Sequence, residues 1–238
     1  MKIAYFDCFA GASGDMIIGA LLDAGLSIDA LSKEYKKLKI GISVRKAKAE
    51  RNHIVGTRFF VKDAARRYHV DEILKIIKSS SLPIDVKQKS LKIFNRIVAV
   101  ECKIHGMKSR PHLHEVGALD TIADIVGACA GLKLLGIEKV YTSAFPIPKG
   151  YVKTQIGMLP LPAPASLELL KGKPIVDSKI KHELVTPTGA AILSTISEDF
   201  GKVPSMKVLR IGYGAGSENF KEIPDLLRII IGEKIKRL

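Results

Sequence analysis

At 238 residues, 47% of them hydrophobic and 26% charged, the chain has ample material for one large domain or two small ones and is not a disordered tract. No apolar run reaches the length of a membrane span, and the three cysteines, Cys8, Cys102 and Cys129, include no close pair, which argues against a disulfide framework and a zinc finger. A net charge of +14 favours an anionic ligand or partner, but the lysines are spread along the chain without the aromatic interleaving that stacks on bases.

Residues 2–9 read as an apolar strand; they lack the longer apolar core and cleavage site of a signal peptide, so the expected location is cytoplasmic. A small-residue turn, Gly11-Ala12-Ser13-Gly14-Asp15, leads into a helix over 16–24 that stops at Gly25. A short helix over 29–38 follows. Residues 40–44 and 57–62 look like strands, with the charged stretch 45–52 as a hairpin end or exposed extension. Helices are expected over 70–78 and 85–101, the latter with Leu91, Phe94, Ile97 and Val98 on one stripe. An apolar helix over 117–136 comes next, then a strand over 139–144. Pro146, Pro148, Pro160, Pro162 and Pro164 mark an extended region that cannot be a central strand. A short helix over 167–170 precedes Thr186-Pro187, a natural N-cap and first position for a helix reaching 196. Strands over 208–213 and 226–231 are joined through Gly212-Tyr213-Gly214-Ala215-Gly216. The mixture lacks a strict βαβ rhythm. It points to an α/β or α+β fold, a mixed β-sheet packed by helices and not a Rossmann fold, with room for a small subdomain around 40–110.

The densest chemistry lies in Pro111-His112-Leu113-His114-Glu115-Val116-Gly117-Ala118-Leu119-Asp120-Thr121-Ile122-Ala123-Asp124. Asp120 and Asp124 are four apart, hence one turn apart on one face of a helix. Like charges there repel, and carboxylates on an apolar helix are costly to bury unless paired or metal-bound. A cation removes both penalties. Taken singly, the same residues also fit an exposed turn and an acid favoured by the helix dipole. Two further segments could grip an anion through backbone N–H groups at a helix start: the turn of Gly11, Ser13, Gly14 and Asp15, with the strand-end Asp7 able to hold a metal or a hydroxyl, and Thr186, Thr188 and Gly189. Tight turns and ordinary capping are the plainer readings of both.

Taken together and in order, F-D-C-F-A-G-A-S-G-D-M, H-L-H-E-V-G-A-L-D-T-I-A-D-I-V-G, L-P-L-P-A-P-A, E-L-V-T-P-T-G-A-A-I-L and G-Y-G-A-G resemble the LarC family over nearly the whole chain. These are nickel-insertion proteins that complete the nickel-pincer nucleotide cofactor of lactate racemase. The resemblance implies a nickel chelatase of the lyase class that inserts Ni²⁺ into pyridinium-3,5-bisthiocarboxylic acid mononucleotide in a CTP-dependent reaction. It makes His112, His114, Glu115, Asp120 and Asp124 candidate nickel ligands, with Asp120, Asp124 and Glu115 as candidate bases for the ring proton. The mononucleotide would lie against Asp7, Gly11, Ser13, Gly14, Asp15, Thr186, Thr188 and Gly189. A lactate-racemase-type acceptor and a homo-oligomeric state are further expectations.

Three departures qualify the match. The family's histidine-rich insertion is missing; only six histidines occur. Ile156-Gly157 stands where the family usually has His-Gly. The family's C-terminal domain, associated with CTP and a divalent cation, is expected to be absent, so the chain reads as the N-terminal portion of a split protein with a C-terminal companion. The alternatives are a non-catalytic nickel carrier and a basic phosphate- or nucleic-acid-binding protein.

Overall fold

The computed structural model describes residues 1–63, 66–106, 118–154, 157–218, 220 and 222–235. Its frame is a seven-stranded sheet. In chain order the strands are β1 (Lys2–Asp7), β2 (Val44–Arg51), β3 (Ile54–Val61), β4 (Lys139–Thr142), β9 (Ser197–Phe200), β10 (Met206–Ala215) and β11 (Leu226–Lys234). Their spatial order is β2-β3-β10-β11-β1-β4-β9. The first strand therefore sits inside the sheet, antiparallel to the last strand and parallel to β4. The sheet is mixed, as expected, because β1–β4 and β4–β9 are parallel while β10–β11 and β2–β3 are antiparallel hairpins. Two small ribbons lie apart from it: β5 (Phe145–Ile147) with β8 (Ile175–Asp177), and β6 (Gly150–Thr154) with β7 (Gly157–Leu161). The proline-rich stretch supplies three of these four strands and none of the main sheet, in keeping with proline's missing N–H.

The helices are α1 (Gly14–Asp23), α2 (Ile28–Lys36), α3 (Val70–Ser79), α4 (Ile84–Ile104), α5 (Leu119–Leu134), α6 (Pro164–Leu169) and α7 (Pro187–Ile196). None of the described helices is long and apolar enough to cross a membrane. Helix α5 is buried on nearly all sides. Its neighbours include α2, whose fully buried Tyr35 donates its hydroxyl to the Ala123 carbonyl at 2.9 Å.

Two segments differ from expectation. Residues 45–52 are no mere hairpin end: β2 runs Val44–Arg51 and residues 40–43 are irregular. The sequence V-R-K-A-K-A-E-R conceals this strand because it lies at the sheet edge, where charged side chains are tolerated and guard against unwanted pairing. The glycine run 212–216 is likewise no connection. Through Ala215 it belongs to β10, and its smallness serves packing. A Cβ at Gly214 would overlap the Met16 carbonyl, so the missing side chain lets α1 lie directly on the strand. The close seat is fastened by Asp23 at the end of α1. Its carboxylate accepts hydrogen bonds from the Thr57 hydroxyl (2.7 Å), the Tyr213 N–H (3.0 Å) and the Lys48 ammonium (2.6 Å).

Candidate metal and nucleotide site

Four carboxylates come within electrostatic reach of one another where the N-terminal halves of α1 and α5 converge beside the β10–β11 connection. Asp124 is buried, and its Oδ1 has no hydrogen-bond partner among the described residues. Gly14 makes room for it; a Cβ there would overlap the Asp124 carboxylate. Burial, then the negative charges of Asp15 and Asp120, push the Asp124 carboxyl well above the usual carboxylate range. Asp120 is half-buried, and its Oδ1 accepts the Thr121 N–H at 2.7 Å. Asp15 accepts the Ser13 hydroxyl and the Met16 N–H (2.9 Å). Burial raises the Asp15 pKa despite those bonds and despite the opposing charge of Arg58.

A fourth carboxylate joins this group from far along the chain. Asp225, 6% exposed, accepts the Glu218 N–H at 3.0 Å. Burial pushes its carboxyl up to about 6; Asp15 and Glu218 add to the shift, and Arg51 opposes it. Arg51 in turn donates to the Gly216 carbonyl at 2.8 Å. Asp225, Arg51 and Arg58 escape sequence reasoning. The one cue for Asp225 is an acid between a proline and a run of apolar strand residues, a pattern shared with ordinary turns.

The two segments read as anion grips interlock. Ala12 N–H donates to the Leu184 carbonyl at 2.8 Å and Thr186 N–H to the Ala12 carbonyl at 3.1 Å, forming a parallel bridge between Ala12 and Val185. Side chains at Gly11 and Gly189 would overlap the Leu184 and Ala12 carbonyls, so both glycines serve this close approach. The Thr186 hydroxyl caps α7, accepting the Gly189 N–H at 3.2 Å. Thr188 is half-buried in the first turn of that helix. Asp7 is paired with Arg228, which approaches through Nε at 3.1 Å and through Nη2. The structure thus brings Gly14, Asp15, Asp120 and Asp124 together, with Ser13 bonded to Asp15 and the Gly11–Gly189 interlock behind them. His112, His114 and Glu115 lie outside the described residues. Among the described residues no three His, Cys, Asp or Glu side chains are grouped to hold a metal ion. Cys8, at the end of β1, is wholly buried, and burial pushes its thiol up to about 12, so it is no nucleophile at neutral pH.

Comparison with known proteins agrees with the motif pattern. A family model described as nickel insertion protein matches residues 4–237. A Syntrophobacter fumaroxidans protein, provisionally named a nickel insertion protein, is 49% identical over 98% of this chain and 61% of its own length. A Desulfitobacterium hafniense protein named pyridinium-3,5-bisthiocarboxylic acid mononucleotide nickel insertion protein is 47% identical over 98% of this chain and 59% of its own. A Dictyoglomus thermophilum relative is 41% identical, with coverage of 99% and 62%. The chain therefore spans about three fifths of the length of these relatives. No solved structure matches. With a family model spanning almost every residue, the chain belongs to the nickel insertion protein family.

Proposed function

We propose that this chain acts in nickel insertion into pyridinium-3,5-bisthiocarboxylic acid mononucleotide, as the nickel-holding part of a chelatase of the lyase class. The observation that carries this reading is Asp124: a buried carboxyl with an unpartnered oxygen, under the charge of Asp15 and Asp120. A divalent cation relieves both the burial and the repulsion. The name of the Desulfitobacterium relative supplies the substrate class.

In this reading His112, His114, Glu115, Asp120 and Asp124 hold Ni²⁺. Imidazole and carboxylate suit a metal that must pass on to softer sulfur ligands. The product holds nickel through two sulfurs and a ring carbon, so one ring proton must leave. Burial favours the protonated form of Asp124, which leaves Asp120 and Glu115 as the readier bases, with Asp124 able to serve if nickel displaces its proton. Asp7, Gly11, Ser13, Gly14, Asp15, Thr186, Thr188 and Gly189 form the wall against which the mononucleotide lies. CTP with its divalent cation is assigned to the part of the relatives' length that this chain does not span, supplied by a companion chain or domain. A lactate-racemase-type acceptor, a homo-oligomer and a cytoplasmic location complete the reading.

The test is calorimetric titration of the metal-free chain with Ni²⁺ beside Asp120→Asn/Asp124→Asn. Tight binding that the double substitution abolishes supports the reading; equal binding by both proteins removes its main support. The alternative reading is a nickel carrier that passes metal on without turnover. Product formed when the remaining portion of a relative is supplied in trans excludes it.

A further inference from the structure

We propose that the cleft at the open end of the β2–β3 hairpin is a phosphate subsite, in which Arg45, Arg58 and Lys62 grip the phosphate monoester of the mononucleotide; this rests on the nickel-insertion reading above. The cleft encloses about 340 Å³ and is lined by Ser43, Val44, Arg45, Phe60, Val61 and Lys62. Two guanidinium groups share the Phe60 ring: Arg45, in the cleft lining, lies 3.8 Å and Arg58, beside the cleft, 4.8 Å from the centroid. Two cations on one ring attract the ring but repel each other. Among the described residues neither is in an ion pair with a carboxylate, and the Arg58 Nε is buried without a hydrogen-bond partner. A dianionic phosphate supplies what is missing, since guanidinium forks match phosphate oxygens in pairs and a lysine adds a point charge.

Placement connects the cleft to the carboxylate site. Register pairs Arg45 with Phe60 and Ala47 with Arg58, so both arginines and the ring share one face of the hairpin. The charge of Arg58 is also felt at Asp15. Arg58 thus couples the cationic face of the hairpin electrostatically to the acidic group around Asp15. That arrangement suits a substrate with a phosphate at one end and a metal-accepting ring at the other.

The experiment is calorimetric titration of the full chain with nicotinic acid mononucleotide, a pyridinium mononucleotide, and with its dephosphorylated riboside. The wild type is expected to prefer the mononucleotide. Arg45→Gln and Arg58→Gln should each weaken mononucleotide binding about tenfold while leaving riboside binding unchanged. Because Arg45 is exposed, its substitution keeps the test valid even if Arg58→Gln misfolds. Variants that bind like wild type, or a wild type indifferent to the phosphate, overturn the proposal. So does equal competition by inorganic phosphate, or a stronger, steeply salt-dependent affinity for a single-stranded DNA oligomer. Nickel bound at Asp120 and Asp124 without any mononucleotide preference sinks this inference alone. The preference without nickel binding sinks the metal reading instead.

Discussion

The Asp124 carboxylate occupies the space that any side chain on Gly14 would need, so α1 and α5 meet through a buried acid and a bare backbone. Gly14→Ala therefore tests the site without touching a charge. The added methyl must displace Asp124, at an overpacking cost of ~1–3 kcal/mol. Thermal unfolding should show that loss. Nickel titration of the still-folded variant should show affinity at least about tenfold weaker, because ligand geometry fails when supporting contacts move.

The raised carboxyls fix the sign of the pH response. A carboxyl whose folded pKa lies above its unfolded value favours the folded state at low pH and loses that contribution as pH rises through the folded value. For Asp225 this window runs from the ordinary carboxylate range to about 6. Asp225→Asn should match wild type in stability near pH 4 and exceed it at pH 8 by on the order of 2 kcal/mol. Urea unfolding at the two pH values checks this; a variant less stable at pH 8 contradicts it. If Asp124 holds nickel, the metal competes there with a proton, so nickel affinity should rise with pH.

Asp23 behaves in the opposite sense. Burial alone would raise its pKa, but Lys48, Thr57 and the Tyr213 N–H outweigh burial and lower it. Its contribution is present above the unfolded carboxylate pKa and fades as pH falls through the lowered value. Asp23→Ala leaves the Thr57 hydroxyl and the Tyr213 N–H without their acceptor and should cost about 2–3 kcal/mol at pH 7. Nickel binding should persist at temperatures where the variant stays folded, since Asp23 lies at the other end of α1 from Asp15.

The thiols make a separate check on burial. Burial pushes Cys8 up to about 12 and Cys129 up to about 11, and both are enclosed, whereas Cys102 is partly exposed. Native protein treated with iodoacetamide at pH 8 should be alkylated first at Cys102, with the other two reacting only on unfolding. Mass mapping of the labelled peptides decides this.

The legible parts of the molecule are those in which one segment carries its own signal. Asp120 and Asp124 reveal themselves by helical spacing on an apolar background, and Thr186-Pro187 by capping chemistry. Asp225 stays hidden because its relation to Asp15 arises only when β11 pairs with β1 and β10. The grip of Ala12 on Leu184 and Thr186 is similarly long-range, so the glycines that permit it read as phosphate loops. β2 is obscured for a third reason: its alternation of charge with alanine mimics an exposed extension until the edge of a sheet is there to receive it.

The place of β1 between β4 and β11 has a consequence for biosynthesis. β1 gains its antiparallel neighbour only after residues 226–234 have been made, and the bridge at Ala12 waits for residue 185. Such pairings carry the full cost of closing long loops and make folding slow. Nascent chains shorter than this hold a bare apolar strand edge, the kind of surface on which chaperones act. The acidic pocket is thus framed late, and a premature stop before Leu226 yields a polypeptide with all seven described helices and the four carboxylates but without the strand, β11, that pairs with both β1 and β10.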